Sequence, residues 1–100
     1  MAKFLCIYEP DKNGTWTNDL INKHVEHLRS MKHKGVLILC GILKEKQGGL
    51  IILEEKSYEE AEIHILQDPL VINKCYGYTL CEFIEGNEEN NYLLDGEQTE

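Results

Sequence analysis

HVEHLRSMKHKGVLILCGILKEKQGGLIILE, residues 24–54, contains the pattern that decides the fold of this 100-residue chain. It begins within an amphipathic helix, where His24 lies on the apolar face between leucines at helical spacing. Gly35 is expected to end this helix. Two apolar strands are predicted over residues 36–43 and 50–53, and a polar loop with paired glycines joins them. A helix followed by a β-hairpin is therefore the centre of the predicted fold.

The segments on both sides of this stretch extend the pattern. The first helix is predicted to begin near Thr17 or Asn18, because both residues are good N-caps. A second helix begins at Ser57, which opens an S-x-x-E capping box, and ends at Asp68, which precedes a proline. The other predicted segments are a strand over residues 3–8, an irregular connector over 70–74 and a last strand over 75–84.

The order of these elements, β-α-β-β-α-β, predicts an α+β fold of the ferredoxin-like type. Right-handed crossovers would produce a four-stranded antiparallel sheet with two helices on one face. Several strands are apolar on both faces, so a second copy of the chain is expected to cover the other face as a homodimer. Residues 1–85 are predicted to form the domain, and 86–100 an acidic tail that is flexible or docks on a partner chain.

The net charge of −8 excludes several classes of function. It argues against a protein that binds nucleic-acid phosphates or an anionic membrane surface. No apolar run approaches the roughly 20 residues needed to span a bilayer, and no cleavable signal peptide is recognised, so a cytoplasmic protein is predicted. The four cysteines form no CxxC pair and are expected to be small buried side chains in a reducing compartment.

Strand directions predict that distant residues gather at one end of the sheet. Strand 1, strand 2 and helix 2 end there, while helix 1, strand 3 and strand 4 begin there. The residues brought together are Tyr8, His24, Gly41, Gly48, Gly49, Asp68 and Tyr76. This convergence predicts a pocket for a small-molecule ligand.

A His24–Asp68 dyad is the chemistry expected in this pocket. A carboxylate beside an imidazole fixes its tautomer, and an oriented imidazole is suited to general acid or base catalysis. Gly41, Gly48 and Gly49 are expected to let the backbone approach a substrate. Two nearby tyrosines are candidate phenol donors for the substrate, Tyr8 and Tyr76.

Simpler interpretations stand beside this one. His24 is also compatible with a core residue, and Asp68 with a turn residue that only ends a helix. His24 and His27 have the spacing of two metal ligands, but no third ligand is evident, so neither a metal nor another cofactor is expected. Trp16 either packs on helix 1 or forms a wall of the pocket mouth. Two further histidines, His33 and His64, are expected at the surface.

At these residues the sequence resembles the YCII-related (YciI-like) proteins of the dimeric α+β barrel superfamily, over about residues 3–84. The motifs that carry the resemblance are His24 with Gly35, Cys40-Gly41, Gly48 to Ile52, Ser57 to Ala61, and Asp68-Pro69-Leu70. Ile42 and Leu70 depart from the proline and the phenylalanine that are frequent in the family. The resemblance implies a ferredoxin-like protomer, a homodimer formed through the sheet faces, and an active site with His24 and Asp68.

Three functions remain open from the sequence. The first is a cofactor-independent enzyme of lyase or isomerase type that transfers a proton on a small organic substrate. The second is a non-catalytic homodimer that binds a small ligand or has a regulatory role. The third is an interaction module that uses the acidic tail.

Overall fold

One antiparallel sheet organises the fold, and the structure, a computed structural model, describes residues 1–94 of the chain. Its strands are β1 (Ala2–Pro10), β2 (Leu37–Ile42), β3 (Gly49–Glu55) and β4 (Tyr76–Phe83). They lie in the order β2-β3-β1-β4, so β1 is central, as its two apolar faces predict. The sheet and the helices between its strands confirm the predicted ferredoxin-like α+β fold.

The two predicted helices, α1 (Asn18–His33) and α2 (Tyr58–Leu66), both begin at a side-chain cap. Thr17 and Ser57 each accept a backbone N–H of the first turn at 3.1 Å. Gly35 follows α1 with φ +77°, a backbone conformation that favours glycine. Within residues 1–94, neither of these helices nor any other is long and apolar enough to cross a membrane.

A third helix replaces the irregular connector that the sequence predicts. Residues 69–72 form the single turn α3 (Pro69–Ile72), and Asp68 is its N-cap. The Asp68 Oδ1 atom accepts the backbone N–H of Leu70 at 2.9 Å. Pro69 occupies the first helical position, where the N–H that proline lacks would have no intrahelical partner. The position of Asp68 is therefore fixed both by the end of α2 and by its hydrogen bond to the first turn of α3.

The core lies between the helices and one face of the sheet. Phe4 and Cys6 of β1 point into it, as does Leu53 of β3, and Met31 and Ile65 pack on them from α1 and α2. Full burial of a side chain of this kind stabilises the fold by about 1.5–3 kcal/mol. The inner face of the sheet therefore fixes the helices in place above it.

The outer face of the sheet is apolar but only partly covered in the single chain. Leu5 of β1 pairs with Ile52 of β3 and with Cys81 of β4, and these side chains share that face. Leu39 of β2 lies on the same face and is 49% exposed. Such a surface is typical of a sheet that packs against a second layer.

Two of the four cysteines contradict the prediction that all are buried. Cys6 and Cys75 are buried, whereas Cys40 and Cys81 are exposed. Cys40 lies at an edge of the sheet, on β2, whereas Cys81 lies on the outer sheet face, which has no layer above it in the single chain.

The first half of the predicted tail has local structure. A 3-10 helix spans Glu88–Leu93, and the side chains of Asn87 and Asn90 each accept the other's backbone N–H at 3.0 and 2.9 Å. Residues 95–100 lie outside the described residues. The assignment of residues 86–100 to a flexible or docking tail stays a prediction.

Candidate active site

Asp68 is a fully buried carboxylate between α2 and α3. Its Oδ1 accepts the backbone N–H of Leu70 at 2.9 Å, and its Oδ2 accepts the hydroxyl hydrogen of Tyr8 at 3.2 Å. An unpaired carboxylate in this position would cost several kcal/mol in desolvation, and these hydrogen bonds offset that cost. No buried side-chain nitrogen or oxygen within residues 1–94 lacks a hydrogen-bond partner.

His24 reaches this carboxylate from α1. Its Nδ1 lies 2.8 Å from Oδ2 and 3.0 Å from Oδ1 of Asp68, although 44 residues separate the two in the chain. The His24 side chain is only 17% exposed, so the pair is largely shielded from water. The structure thus brings together the two residues predicted to form a dyad; their catalytic role stays a prediction.

The pair fixes the hydrogen on one ring nitrogen of His24. A carboxylate can only accept, so Nδ1 carries the hydrogen that lies between the two side chains. In the neutral imidazole, Nε2 is then without a hydrogen and has a free lone pair. His24 also lines a cavity, which is where a bound molecule would meet this lone pair.

Tyr8 supports the pair through its hydroxyl group, and its role in substrate binding stays a prediction. Its single hydroxyl hydrogen is donated to Asp68, and its ring lines the cavity. Burial, and then the negative charge of Asp68, raise the pKa of Tyr8 well above its ordinary value of 10.0. The group therefore stays a neutral donor, and Tyr76 is the other predicted phenol donor beside the cavity.

The cavity next to His24 has a volume of about 130 Å³. Tyr76 covers one side, with its ring stacked on Tyr8 at a centroid distance of 4.9 Å and an interplanar angle of 19°. Burial, and then the charge of Asp68, also raise the pKa of Tyr76. The other lining residues are Leu28, Cys40, Gly41, Ile42, Gly49, Leu50 and Ile51. The wall around the imidazole is therefore mainly apolar.

A wider groove of about 370 Å³ adjoins this cavity, since Ile42 and Tyr76 line both. Trp16 forms part of its wall and meets Tyr76 edge to face, with ring centroids 5.1 Å apart. Of the two positions open to Trp16 from the sequence, the structure supports the one at the pocket mouth. We name the two spaces the inner cavity and the outer groove.

A larger groove of about 450 Å³ lies elsewhere, along the polar side of α1. Its lining residues are Glu26, Arg29, Ser30, His33 and Lys34. All of them belong to one short stretch of the chain, and none is paired as His24 and Asp68 are. Volume alone therefore does not identify the site, and we assign the candidate site to the inner cavity.

The three predicted glycines occupy the site for different reasons. A Cβ atom at Gly48 would clash with the carbonyl oxygen of Tyr8, and one at Gly49 would lie 2.8 Å from that of Gly41. Gly48 also has φ +119°. A Cβ at Gly41, in contrast, would meet nothing within 4 Å. The close approach of the strands therefore accounts for Gly48 and Gly49, and contact of any of the three with a substrate stays a prediction.

His24 and His27, the alternative pair of metal ligands, each form a hydrogen bond to another residue. His27 Nε2 donates to the backbone carbonyl of His64 at 2.8 Å, while His24 is bound to Asp68. Within the described residues, no group of three or more His, Cys, Asp or Glu side chains could hold a metal ion. His64, expected at the surface, is in fact half-buried, with Nε2 2.7 Å from Glu55 Oε2.

The sequence placed Ile42 at the border of the expected pocket but did not identify Cys40 as a pocket residue. A register shift in the pairing of β2 with β3 lies between Leu37 and Leu39. If the side chains of β2 alternated regularly from Leu37, Leu39 and Gly41 would face the helices. Because of the register shift, Cys40 faces the helices instead. Tertiary pairing creates this irregularity, and the apolar run of β2 carries no local signal for it.

Comparison with known proteins supports the fold. No protein-family model matches the chain, and no curated protein matches it in sequence. In structure the chain is similar to 5-chloro-2-hydroxyhydroquinone dehydrochlorinase (TftG) from Burkholderia phenoliruptrix, solved in complex with 2,5-dihydroxybenzoquinone. The match has a TM-score of 0.58 at 18% identity and covers 83% of this chain and 95% of that chain. This likeness shows the fold alone; membership of the YCII-related family and of the dimeric α+β barrel superfamily stays a prediction.

Proposed function

We propose that this chain is a YciI-like, cofactor-independent enzyme of lyase or isomerase type, in which His24 transfers a proton on a small organic substrate. The observation that carries the proposal is the contact of 2.8 Å between His24 Nδ1 and the fully buried Asp68, with the ring beside a cavity.

The chemistry follows from the hydrogen positions. His24 Nε2 would accept a proton from a carbon or hydroxyl of the substrate, and the resulting imidazolium would be stabilised by Asp68. An isomerase would return that proton to a different substrate atom. A lyase would instead let a leaving group depart with its bonding electron pair as the new double bond forms. Proton transfer of this kind contributes about 10²–10⁴-fold to a rate.

The structural neighbour is compatible with this class of reaction. It is a dehydrochlorinase whose structure holds a small dihydroxybenzoquinone. At 18% identity, it does not carry a substrate over to this chain. It supports the narrower point that this fold can hold a site for a small organic molecule.

We also propose that the chain acts as a homodimer formed through its outer sheet face. The apolar side chains there, such as Leu5 and Ile52, are only partly buried, and Leu39 is 49% exposed. A second copy would cover this surface, and burial of apolar surface stabilises the association by roughly 25 cal/mol per Å².

Deuterium exchange is the direct test of proton transfer. The protein is incubated in D2O with small cyclic enones, cyclohex-2-enone first, and deuterium incorporation is measured by mass spectrometry. We expect His24→Asn to reduce the rate to background, while His33→Asn, an exposed site on the same helix, keeps the wild-type rate. Circular dichroism shows whether each variant is folded.

Two results would count against the proposal. If wild type and His24→Asn exchange at equal rates on every enone, the chain is better explained as a non-catalytic dimer that binds a small ligand. If His24→Asn unfolds while His33→Asn does not, His24 has a structural role.

A further inference from the structure

We infer that the inner cavity and the outer groove form one binding site, for an uncharged, flat molecule of two parts. One part is a ring beside His24, and the other is a second planar group that contacts Trp16. This inference rests on the proposed function for its inner end, and it names the class of substrate that the site would take.

Size is the first argument. An apolar cavity of about 150 Å³ accommodates a single benzene molecule in another protein. The inner cavity, at about 130 Å³, therefore has room for one six-membered ring at most. The outer groove adds about 370 Å³ and shares Ile42 and Tyr76 with the inner cavity. A molecule that reaches His24 and exceeds one ring must continue past these two residues.

The aromatic side chains continue in the same direction. Tyr8 lies beside the dyad, and the ring of Tyr76 stacks on the ring of Tyr8 with centroids 4.9 Å apart. Trp16 meets Tyr76 edge to face, with ring centroids 5.1 Å apart. Trp16 is nevertheless 43% exposed, so much of its ring is available for contact. Aromatic rings prefer to stack or meet edge to face with other planar groups. The wall therefore favours a planar ligand along its whole length.

Charge is the third argument. Among the described residues that line either space, none is Lys, Arg, Asp or Glu. The two tyrosines keep their hydrogens, because burial and Asp68 raise their pKa values. In the outer groove, a carboxylate or phosphate would lose water without gaining a cation, which is costly. Gln47, in the outer groove, offers an amide for one neutral polar group.

Three probes test size and charge together. The probes are 2-naphthol, which has two rings and is neutral, phenol, which has one ring, and 2-naphthoate, which has two rings and a negative charge. Affinities are measured by calorimetry on the full chain. We expect 2-naphthol to bind about tenfold more tightly than either of the others, as one added aromatic contact and its buried surface would give. Trp16 is the single tryptophan, so its indole N–H gives one NMR signal that should shift with 2-naphthol.

Variants assign the effect to the outer groove. Trp16→Ala should remove the advantage of 2-naphthol over phenol and leave phenol binding unchanged. Tyr92→Ala, which removes an exposed aromatic ring from the 3-10 helix, should change neither affinity. Equal affinities for 2-naphthol and phenol, unchanged by Trp16→Ala, would overturn the two-part site. Binding of 2-naphthoate as tight as that of 2-naphthol would overturn its preference for uncharged molecules. Failure of the proposed proton transfer would be seen separately, in the exchange assay, which does not depend on Trp16.

Discussion

Tyr8 and Asp68 are joined by a hydrogen bond of 3.2 Å, and its acceptor, Oδ2, is also the oxygen nearest to His24 Nδ1, at 2.8 Å. The other oxygen, Oδ1, accepts the backbone N–H of Leu70. Groups from β1, α1 and α3 therefore converge on one carboxylate. Rotation of Asp68 would break bonds to all three elements, so the fold itself sets the orientation of the imidazole.

Asp68→Asn separates the orientation of His24 from the capping of α3. Asparagine is as good an N-cap as aspartate, so α3 should persist. Its amide can donate to Nδ1, which would move the ring hydrogen to Nε2 and remove the base from the cavity. The comparable substitution in a Ser-His-Asp triad lowers kcat about 10⁴-fold. We expect the ¹⁵N chemical shifts of His24 to report hydrogen on Nε2, and proton transfer to fall by a similar order. Retention of hydrogen on Nδ1 would contradict this account.

Tyr8→Phe tests the supporting hydrogen bond. The ring that lines the cavity remains, and only the donor to Asp68 is lost. Hydrogen bonds to charged groups contribute about 1.5–3 kcal/mol, so the free energy of unfolding should fall by about that amount in urea titrations. Tyr58→Phe is the matched control, because its ring is 38% exposed and lies at the other end of the core beside Phe4. Equal losses in the two variants would mean that the Tyr8 hydroxyl has no special role.

The sequence predicts the dyad but not the way its carboxylate is held. His24 and Asp68 could be placed at one end of the sheet because hydrophobic periodicity and crossover handedness determine the direction of each element. The helix α3 is one turn long, too short for any periodicity, so the Leu70 N–H was not foreseen. The direction of the Tyr8 hydroxyl depends on packing in the core. Topology follows from local patterns, whereas hydrogen-bond partners depend on contacts that form only in three dimensions.

Alanine substitutions at Gly48 and Gly41 should show which of these glycines the backbone geometry requires. Gly48→Ala would bring a Cβ against the carbonyl oxygen of Tyr8 at φ +119°, so we expect a loss of about 2 kcal/mol or more. Gly41→Ala meets nothing within 4 Å, so its stability should stay within about 0.5 kcal/mol of wild type. The stabilities of the two variants and of wild type are compared by thermal unfolding. A stable Gly48→Ala protein would show that the hairpin can relax.

The His64–Glu55 pair predicts a dependence of stability on acidity. The hydrogen bond from His64, followed by the backbone N–H of Lys56, lowers the pKa of Glu55 below its ordinary value of 4.5. A carboxylate with a lowered pKa stabilises the fold fully above its ordinary pKa, and loses this contribution as the pH falls through the lowered one. Below about pH 4.5, wild type should therefore lose more unfolding free energy than Glu55→Gln. Glu54→Gln, at a more exposed position, should follow wild type. If the unfolding free energies of wild type and Glu55→Gln changed with pH in parallel, the role of the pair would be contradicted.

The thiols provide a test of the proposed dimer, because each exposed cysteine lies on a different face of the sheet. Cys40 lines the inner cavity, while Cys81 pairs with Leu5 on the outer face. Burial, and then the charge of Asp68, raise the pKa of Cys6 to about 12, and burial raises that of Cys75, so both should resist a thiol reagent in the native state. A single chain would then have two fast thiols, Cys40 and Cys81.

A dimer through the outer face would leave only Cys40 fast, because the second copy covers Cys81. Cys40→Ser should therefore abolish the fast phase in the dimer, and Cys81→Ser should leave it unchanged. Dilution of Cys40→Ser should restore a fast thiol at the concentration where light scattering reports dissociation, since dimer and monomer exchange by mass action. If Cys81 instead reacts as fast as Cys40 while light scattering reports a dimer, the two copies associate through another surface.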